Sequence, residues 1–174
     1  MIRRFILTLM AAALLLPQLS FGQELKVMSY NVGQWGYMNN NEALQKNIVN
    51  KYKADAVGLQ EFKTGDMANA IFADYTAYAP HGSKSGVAFA YNNYPASNLS
   101  IVKFNSQNPD DQTNYNEYRY YTRADVNVNG KVVTIINTHL TLGLNDYHWN
   151  QMAELLEAAN QCEYAVLTGD FNIG

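Results

Sequence analysis

An α/β fold is predicted by three features of the chain. Apolar stretches of strand length recur along it, several of them ended by glycine or polar residues. Two of these stretches each lead through a helical pattern into another strand, the signature of a strand–helix–strand unit. No internal repeat or linker-like break interrupts the series, so it reads as one unit.

The elements follow in order. Leu25 to Val32 predicts a first strand, ended by Gly33 and Gly36. After the Asn39-Asn40-Asn41 loop, Ala43, Leu44, Ile48 and Tyr52 recur at helical spacing, predicting an amphipathic helix over 42–53. Ala54 to Gln60 is a short apolar run, read as a buried strand. A second helix is predicted over Asp66 to Asp74, with Met67, Ala70 and Ile71 on one side. Gly86 to Tyr91 and Leu99 to Phe104 predict two more strands, and the Asn-, Asp- and Gln-rich stretch 105–117 with Pro109 predicts a loop. Ala124, Val126 and Val128 then alternate with Asp125, Asn127 and Asn129, the mark of a half-buried strand. Asn129-Gly130 predicts a two-residue hairpin turn, because both positions tolerate positive φ. Val132 to Ile136 continues as a more buried strand, Tyr147 to Asn160 suits a helix, and Tyr164 to Thr168 is a final apolar strand.

Composition narrows the function classes. The chain has 12 basic and 15 acidic residues, a net charge of −3. Arg3 and Arg4 lie in a leader-like segment, without which 10 basic residues face 15 acidic ones. Such a chain lacks the overall basic footprint of a DNA-coating protein, although a bound metal could supply positive charge locally. Phe5 to Leu16 holds only one polar residue, Thr8, and Pro17 and the small residues Ser20 and Gly22 follow. The pattern predicts a secretory signal peptide over residues 1–22 and a secreted or periplasmic protein. Twelve apolar residues fall short of the ~20 that span a bilayer, so stable membrane insertion is not expected. Cys162 is the single cysteine, which excludes an intrachain disulfide and reads as a buried structural thiol.

Polar groups stand at the ends of the paired strands. Asn31 and Glu61 follow the strands of the first unit, and Asn137, His139, Asp170 and Asn172 follow those of the second. If each pair is parallel, these ends share one rim, where ligands bind in open α/β folds. Asp170 and Asn172 are two apart, so an extended chain would point both the same way. One such residue alone is usually a solvated cap; several converging are a candidate site. Glu61 and Asp170 among amide groups form a hard, oxygen-rich donor set suited to Mg²⁺, with Mn²⁺ or Ca²⁺ as alternatives, and unlike a zinc site.

These residues carry a family resemblance. Met28-Ser29-Tyr30-Asn31, Gly58-Leu59-Gln60-Glu61, Asn137-Thr138-His139-Leu140 and Thr168-Gly169-Asp170-Phe171-Asn172 stand in the order and approximate spacing of the endonuclease/exonuclease/phosphatase superfamily. Ser85-Gly86-Val87-Ala88 resembles the strand that the family has in that region. The resemblance spans nearly the whole chain after the leader. It implies the deoxyribonuclease-I-like fold: a two-sheet β-sandwich flanked by helices, in four layers. It implies Glu61 as the principal Mg²⁺ ligand with Asn31 beside it. It also implies His139 on the scissile phosphate, Asp170 positioning the attacking water, and Asn172 holding phosphate or metal. Arg123 is similar to an arginine that the nucleases of the family carry. Asn137 and His81, the latter in the loop Pro80-His81-Gly82, are added as candidate substrate contacts.

The family's terminal histidine, preceded by an aspartate, has no counterpart here. The histidines are His81, His139 and His148, and His148 reads as a surface or packing residue. Residues 23–174 are therefore expected to be the N-terminal portion of such a domain, incomplete at the C-terminus and with strand edges exposed. With the leader pattern, the resemblance makes a secreted metal-dependent phosphodiesterase the first reading, with nuclease as the leading subclass, a phosphodiester, nucleic acid among them, as its substrate, and a monomer as the expected state. Alternatives are a phosphatase, a sphingomyelinase-type lipid phosphodiesterase, or a non-catalytic fragment that only binds metal or phosphate. Tyr115, Tyr118, Tyr120 and Tyr121 with Arg119 and Arg123 offer base stacking and phosphate contacts. Packing of the tyrosines along a strand face is the favoured reading.

Overall fold

The computed structural model describes residues 24–33, 42–62, 74–79, 87–115 and 117–173. The predicted leader, the Asn39–Asn41 loop, most of the helix predicted over 66–74, and His81, Ser85 and Gly86 lie outside them.

Two four-stranded sheets carry the fold. The first has the order β1-β2-β4-β3, with β1 at Val27–Asn31, β2 at Ala56–Gln60, β3 at Thr76–Tyr78 and β4 at Val87–Tyr91. The second has the order β5-β6-β7-β8, with β5 at Ala96–Lys103, β6 at Tyr120–Val128, β7 at Lys131–His139 and β8 at Tyr164–Asp170. The helices are α1 at Glu42–Tyr52, α2 at Pro109–Tyr115 and α3 at Asp146–Asn160. Both predicted strand–helix–strand units are present: β1 and β2 are parallel around α1, and β7 and β8 are parallel around α3. All other strand pairs are antiparallel. Among the described residues no helix is long and apolar enough to cross a membrane, a statement that does not bear on β-barrels.

The layering follows from strand alternation. Ala56 and Phe89 of the first sheet meet Ala124, Val126 and Ile135 of the second, forming the core between the sheets. The opposite face of the first sheet puts Val57, Leu59, Ala88 and Ala90 with Val49 of α1. The outer face of the second packs Phe104 and Ile136 on Leu155 and Ala158 of α3. This is the four-layer sandwich expected from the resemblance. The hairpin also forms as predicted: Asn129 and Gly130 both have positive φ, at 55° and 81°, and join Val128 to Lys131.

Three local expectations are corrected. The polar stretch 105–117 contains α2, because Asn108 Oδ1 accepts from Asp110 N, Pro109 suits a first helical position, and Asp110 and Asp111 favour the first turn. The buried side of α1 is not that of Leu44 and Tyr52, which are exposed. It is that of Gln45 and Val49, and Gln45 Nε2 donates to Val32 O at the end of β1. Asp125, expected on the solvent side of its strand, is buried because Thr134 Oγ1 and Asn98 Nδ2 donate to its carboxylate.

The sheets are clamped together just below their polar rim. Asn137 is fully buried on β7 and reaches across to the first sheet. Its Nδ2 donates to Leu59 O (2.8 Å) and Ala88 O (3.1 Å), while its Oδ1 accepts from Gln60 Nε2 and Thr168 Oγ1. Gly58 makes the room. A Cβ there would collide with Thr168 Oγ1 and lie 2.5 Å from Asn137 Oδ1. Ser29 Oγ accepts from Gly169 N (3.0 Å), tying β1 to β8 across the same seam.

Candidate metal-centred site

The rim above this seam gathers residues that lie far apart in the chain. The C-terminal ends of β1, β2, β7 and β8 bring Asn31, Glu61, His139 and Asp170 together. Ligand atoms of Glu61, His139 and Asp170 lie within 4.8 Å of one another. Asn31 sits between the carboxylates, its Nδ2 donating to Glu61 Oε1 (3.1 Å) and to Asp170 Oδ2 (2.9 Å). Its own carbonyl is held by Gly33 N at 2.8 Å. Glu61 adopts a left-handed φ of 53°, a conformation that costs a non-glycine residue about 1–2 kcal/mol. Strain of that kind collects where a side chain must be aimed at a site.

Asp170 is fixed from both sides, since its Oδ1 accepts from Asn172 N (3.1 Å). Asn172 has a φ of 50°, so the chain turns after β8 and Asn172 does not point as an extended chain would point it. Its Nδ2 instead donates to Leu140 O (2.7 Å), closing the turn against β7.

His139 is buried, and burial is the largest reason its pKa falls from 6.5 to about 4. The Arg119 cation adds to the fall, while Asp170 and Asp111 oppose it. The ring is therefore neutral at pH 7, and its approach to Asp170 Oδ2 at 3.9 Å is not an ion pair there. Among the described residues, neither Glu61 nor Asp170 has a lysine or arginine within ion-pair distance. Two converging carboxylates bridged by one amide, beside a neutral imidazole, leave negative charge that a divalent cation would balance. The oxygen donors suit Mg²⁺ or Mn²⁺ in kind.

Other predicted site residues are placed elsewhere. Asn137 is corrected from substrate contact to inter-sheet clamp, because it is fully buried and all four of its hydrogen-bonding positions are taken. Arg123 is not brought to the cluster. It pairs with Ile136 on the outer face of the second sheet, and its Nε lies 4.0 Å from Asp125 Oδ1. His81 is outside the described residues. His148 is a packing residue: fully buried, with Nδ1 3.1 Å from Thr141 O and its ring edge-on to Trp149. Cys162 is half-buried, with its thiol against Ala158 O.

Arg119, rather than Arg123, is the arginine whose charge acts on His139. It is buried, with Nε and Nη2 on the two oxygens of Asp111 (2.9 and 3.1 Å) and Nη1 3.5 Å from Glu117 Oε2. So enclosed, it is not an exposed phosphate grip. Glu117 is raised above the usual carboxylate range, first by burial; Arg119 lowers it and Asp111 and Glu61 raise it further. Thr138 Oγ1 donates to Tyr120 O (3.1 Å), which sets the start of β6 and the 117–119 segment before it beside the end of β7. The available signal was the helix cap Asn108-Pro109-Asp110-Asp111, which stations a carboxylate to pair with an arginine.

Comparison with known proteins agrees with this geometry. Residues 28–174 match the Endonuclease/Exonuclease/phosphatase family. A search of curated proteins gave no match. Among solved structures, TDP2 of D. rerio humanized by 14 mutations is 16% identical with a TM-score of 0.70, over 86% of this chain and 63% of that one. D. rerio TDP2 complexed with a single-strand DNA product is 18% identical with a TM-score of 0.68, over 86% and 61%. The mannosyl-6-phosphatase of Bacteroides thetaiotaomicron VPI-5482 is 18% identical with a TM-score of 0.63, over 86% and 66%. At these identities the likeness is one of fold, the deoxyribonuclease-I-like sandwich. The chain spans less than two thirds of the length of each of these three structures.

Proposed function

The chain belongs to the endonuclease/exonuclease/phosphatase family, whose members are phosphoester hydrolases, and from that premise we propose that it is a divalent-metal-dependent phosphodiesterase with nucleic acid as its leading substrate. The observation that carries this reading is the convergence of Glu61, Asp170 and His139 within 4.8 Å on one rim. Glu61 would hold the cation, with Asp170 close enough to share it, while Asn31, expected as a ligand, instead orients the two carboxylates, because its amide nitrogen faces them and its carbonyl accepts from Gly33 N. Bound there, the cation supplies positive charge to a phosphoryl oxygen. His139, neutral and with Nε2 toward Asp170, donates to a phosphate oxygen in the tautomer that protonates Nε2. Asp170, oriented by Asn31 and by the Asn172 backbone, accepts a proton from the attacking water as its oxygen bonds phosphorus. The opposite ester oxygen leaves and is protonated by solvent. Asn172 supports this geometry by closing the turn behind Asp170. The similar D. rerio protein carrying a single-strand DNA product favours nucleic acid. The arginines and apolar run of residues 1–22 support export.

The test is hydrolysis of bis(4-nitrophenyl) phosphate, with the corresponding monoester alongside, in Mg²⁺ or Mn²⁺. Turnover of the diester that is lost in Glu61→Ala and in chelator is expected. Folded protein without turnover contradicts the enzymatic reading, and turnover of the monoester alone replaces diesterase with phosphatase.

A further inference from the structure

The site continues across the second sheet in a way that defines what lies beside the scissile phosphate. His139 pairs with Asp170 on β8, and Lys103 of β5 pairs with Tyr120 of β6. One step beyond the pair Tyr121↔Thr138, the same register sets Tyr120 across from His139. Lys103, Tyr120, His139 and Asp170 thus form one row across four strands. With neighbouring strands about 4.8 Å apart, Lys103 and His139 are separated by about 10 Å of backbone. A single phosphate ester at His139 does not bridge that distance, but the next unit of a polymer does.

The far end of the row carries recognition chemistry. Lys103 Nζ sits 3.6 Å from the centroid of the Tyr118 ring, and both residues are exposed. Among the described residues no carboxylate lies within 4.0 Å of the Lys103 ammonium, whereas Arg119 is enclosed by Asp111 and Glu117, and Arg123 faces Asp125. Tyr121 is unavailable as a platform because it packs on Phe104 beneath the sheet. Along this edge of an otherwise acidic rim, one accessible ring and one uncompensated cation therefore stand together. Aromatic rings that stack bases and cations that track the backbone are the pair used to hold single strands.

We propose that Lys103 and Tyr118 form a second subsite that takes the nucleotide adjoining the scissile phosphate of a single-stranded nucleic acid, Lys103 meeting its phosphate and Tyr118 its base. This rests on the phosphodiesterase reading above and specifies the substrate. A lipid surface is the less suitable occupant, since one cation on one ring is not the wide apolar face with which a protein inserts among acyl chains.

The test uses Lys103→Met, Tyr118→Ala and Tyr118→Phe with a single-stranded DNA decamer, bis(4-nitrophenyl) phosphate and sphingomyelin vesicles. The expected result is that Lys103→Met and Tyr118→Ala each lower kcat/KM for the decamer about tenfold relative to that for bis(4-nitrophenyl) phosphate, and that Tyr118→Phe restores most of it. Lys103→Met also flattens the slope of log(kcat/KM) against log salt by about 0.7, the effect of one phosphate contact on a single strand. Fluorescence anisotropy of the labelled decamer in chelator reads the same losses as weaker binding without turnover. An unchanged ratio together with unchanged decamer binding overturns the subsite, as does turnover of vesicles with no binding of decamer. Absence of turnover on every substrate refutes the phosphodiesterase reading instead, and the anisotropy arm still decides the subsite.

Discussion

Removing the Asn137 side chain tests whether that residue is structural or meets substrate. In Asn137→Ala, Leu59 O and Ala88 O each lose a donor in the closed seam between the sheets. Each lost hydrogen bond is worth about 0.5–1.5 kcal/mol net. The other two partners are less exposed to loss: Gln60 Nε2 retains Gly58 O and Ser29 Oγ, and Thr168 Oγ1 retains Ile136 O. The two lost hydrogen bonds plus the space vacated between tightly approached strands amount to about 3–4 kcal/mol. With a urea m-value of about 2 kcal/mol/M, the midpoint drops by roughly 2 M. Urea unfolding at pH 7.5 measures this, and hydrolysis by the fraction that remains folded measures the site separately. Asn137→Asp is expected to be no better, because it turns a carboxylate oxygen toward two carbonyls. An Asn137→Ala protein within about 1 kcal/mol of the parent but devoid of activity would refute the clamp and return Asn137 to the substrate.

Two further predictions concern charge. His139 is held neutral in the fold down to about pH 4, whereas in the unfolded chain it takes a proton near 6.5. Metal-free protein should therefore lose stability as pH falls through that window, by up to about 3 kcal/mol, and His139→Asn should flatten the loss in urea titrations between pH 4.5 and 7.5. Parallel curves for the two proteins would contradict it. Asp111→Ala leaves the buried Arg119 guanidinium without its bidentate partner and should cost about 3–5 kcal/mol in the same assay, with Asp111→Asn costing less. Equal stability of the alanine variant would show that Arg119 finds other partners.

Much of this architecture is legible in the sequence because its elements are strongly patterned. The apolar runs of β2 and β7, the parallel units around α1 and α3, and the Asn129-Gly130 turn each follow from local chemistry that tertiary packing did not override. Glu61, His139 and Asp170 could be found at strand ends, and the fold brings them together. What was not legible depends on facing. Asn137 stands near a strand end like its neighbours, yet alternation turns it inward to bind across the seam. Arg123 precedes the alternating residues, but β6 begins three residues earlier, so Arg123 falls within the strand and on its outer side. Helix α2 is hidden by a composition typical of loops, and β3 at three residues is too short to carry a period.

The central claim is that Glu61 and Asp170 form a divalent-cation centre. Titration of Mn²⁺ into the protein, followed by the electron paramagnetic resonance of free Mn²⁺, tests it without relying on turnover. The account predicts saturable uptake at this site that weakens at least about tenfold in Glu61→Gln and in Asp170→Asn, with folding retained. Uptake by both variants equal to that of the parent would contradict it.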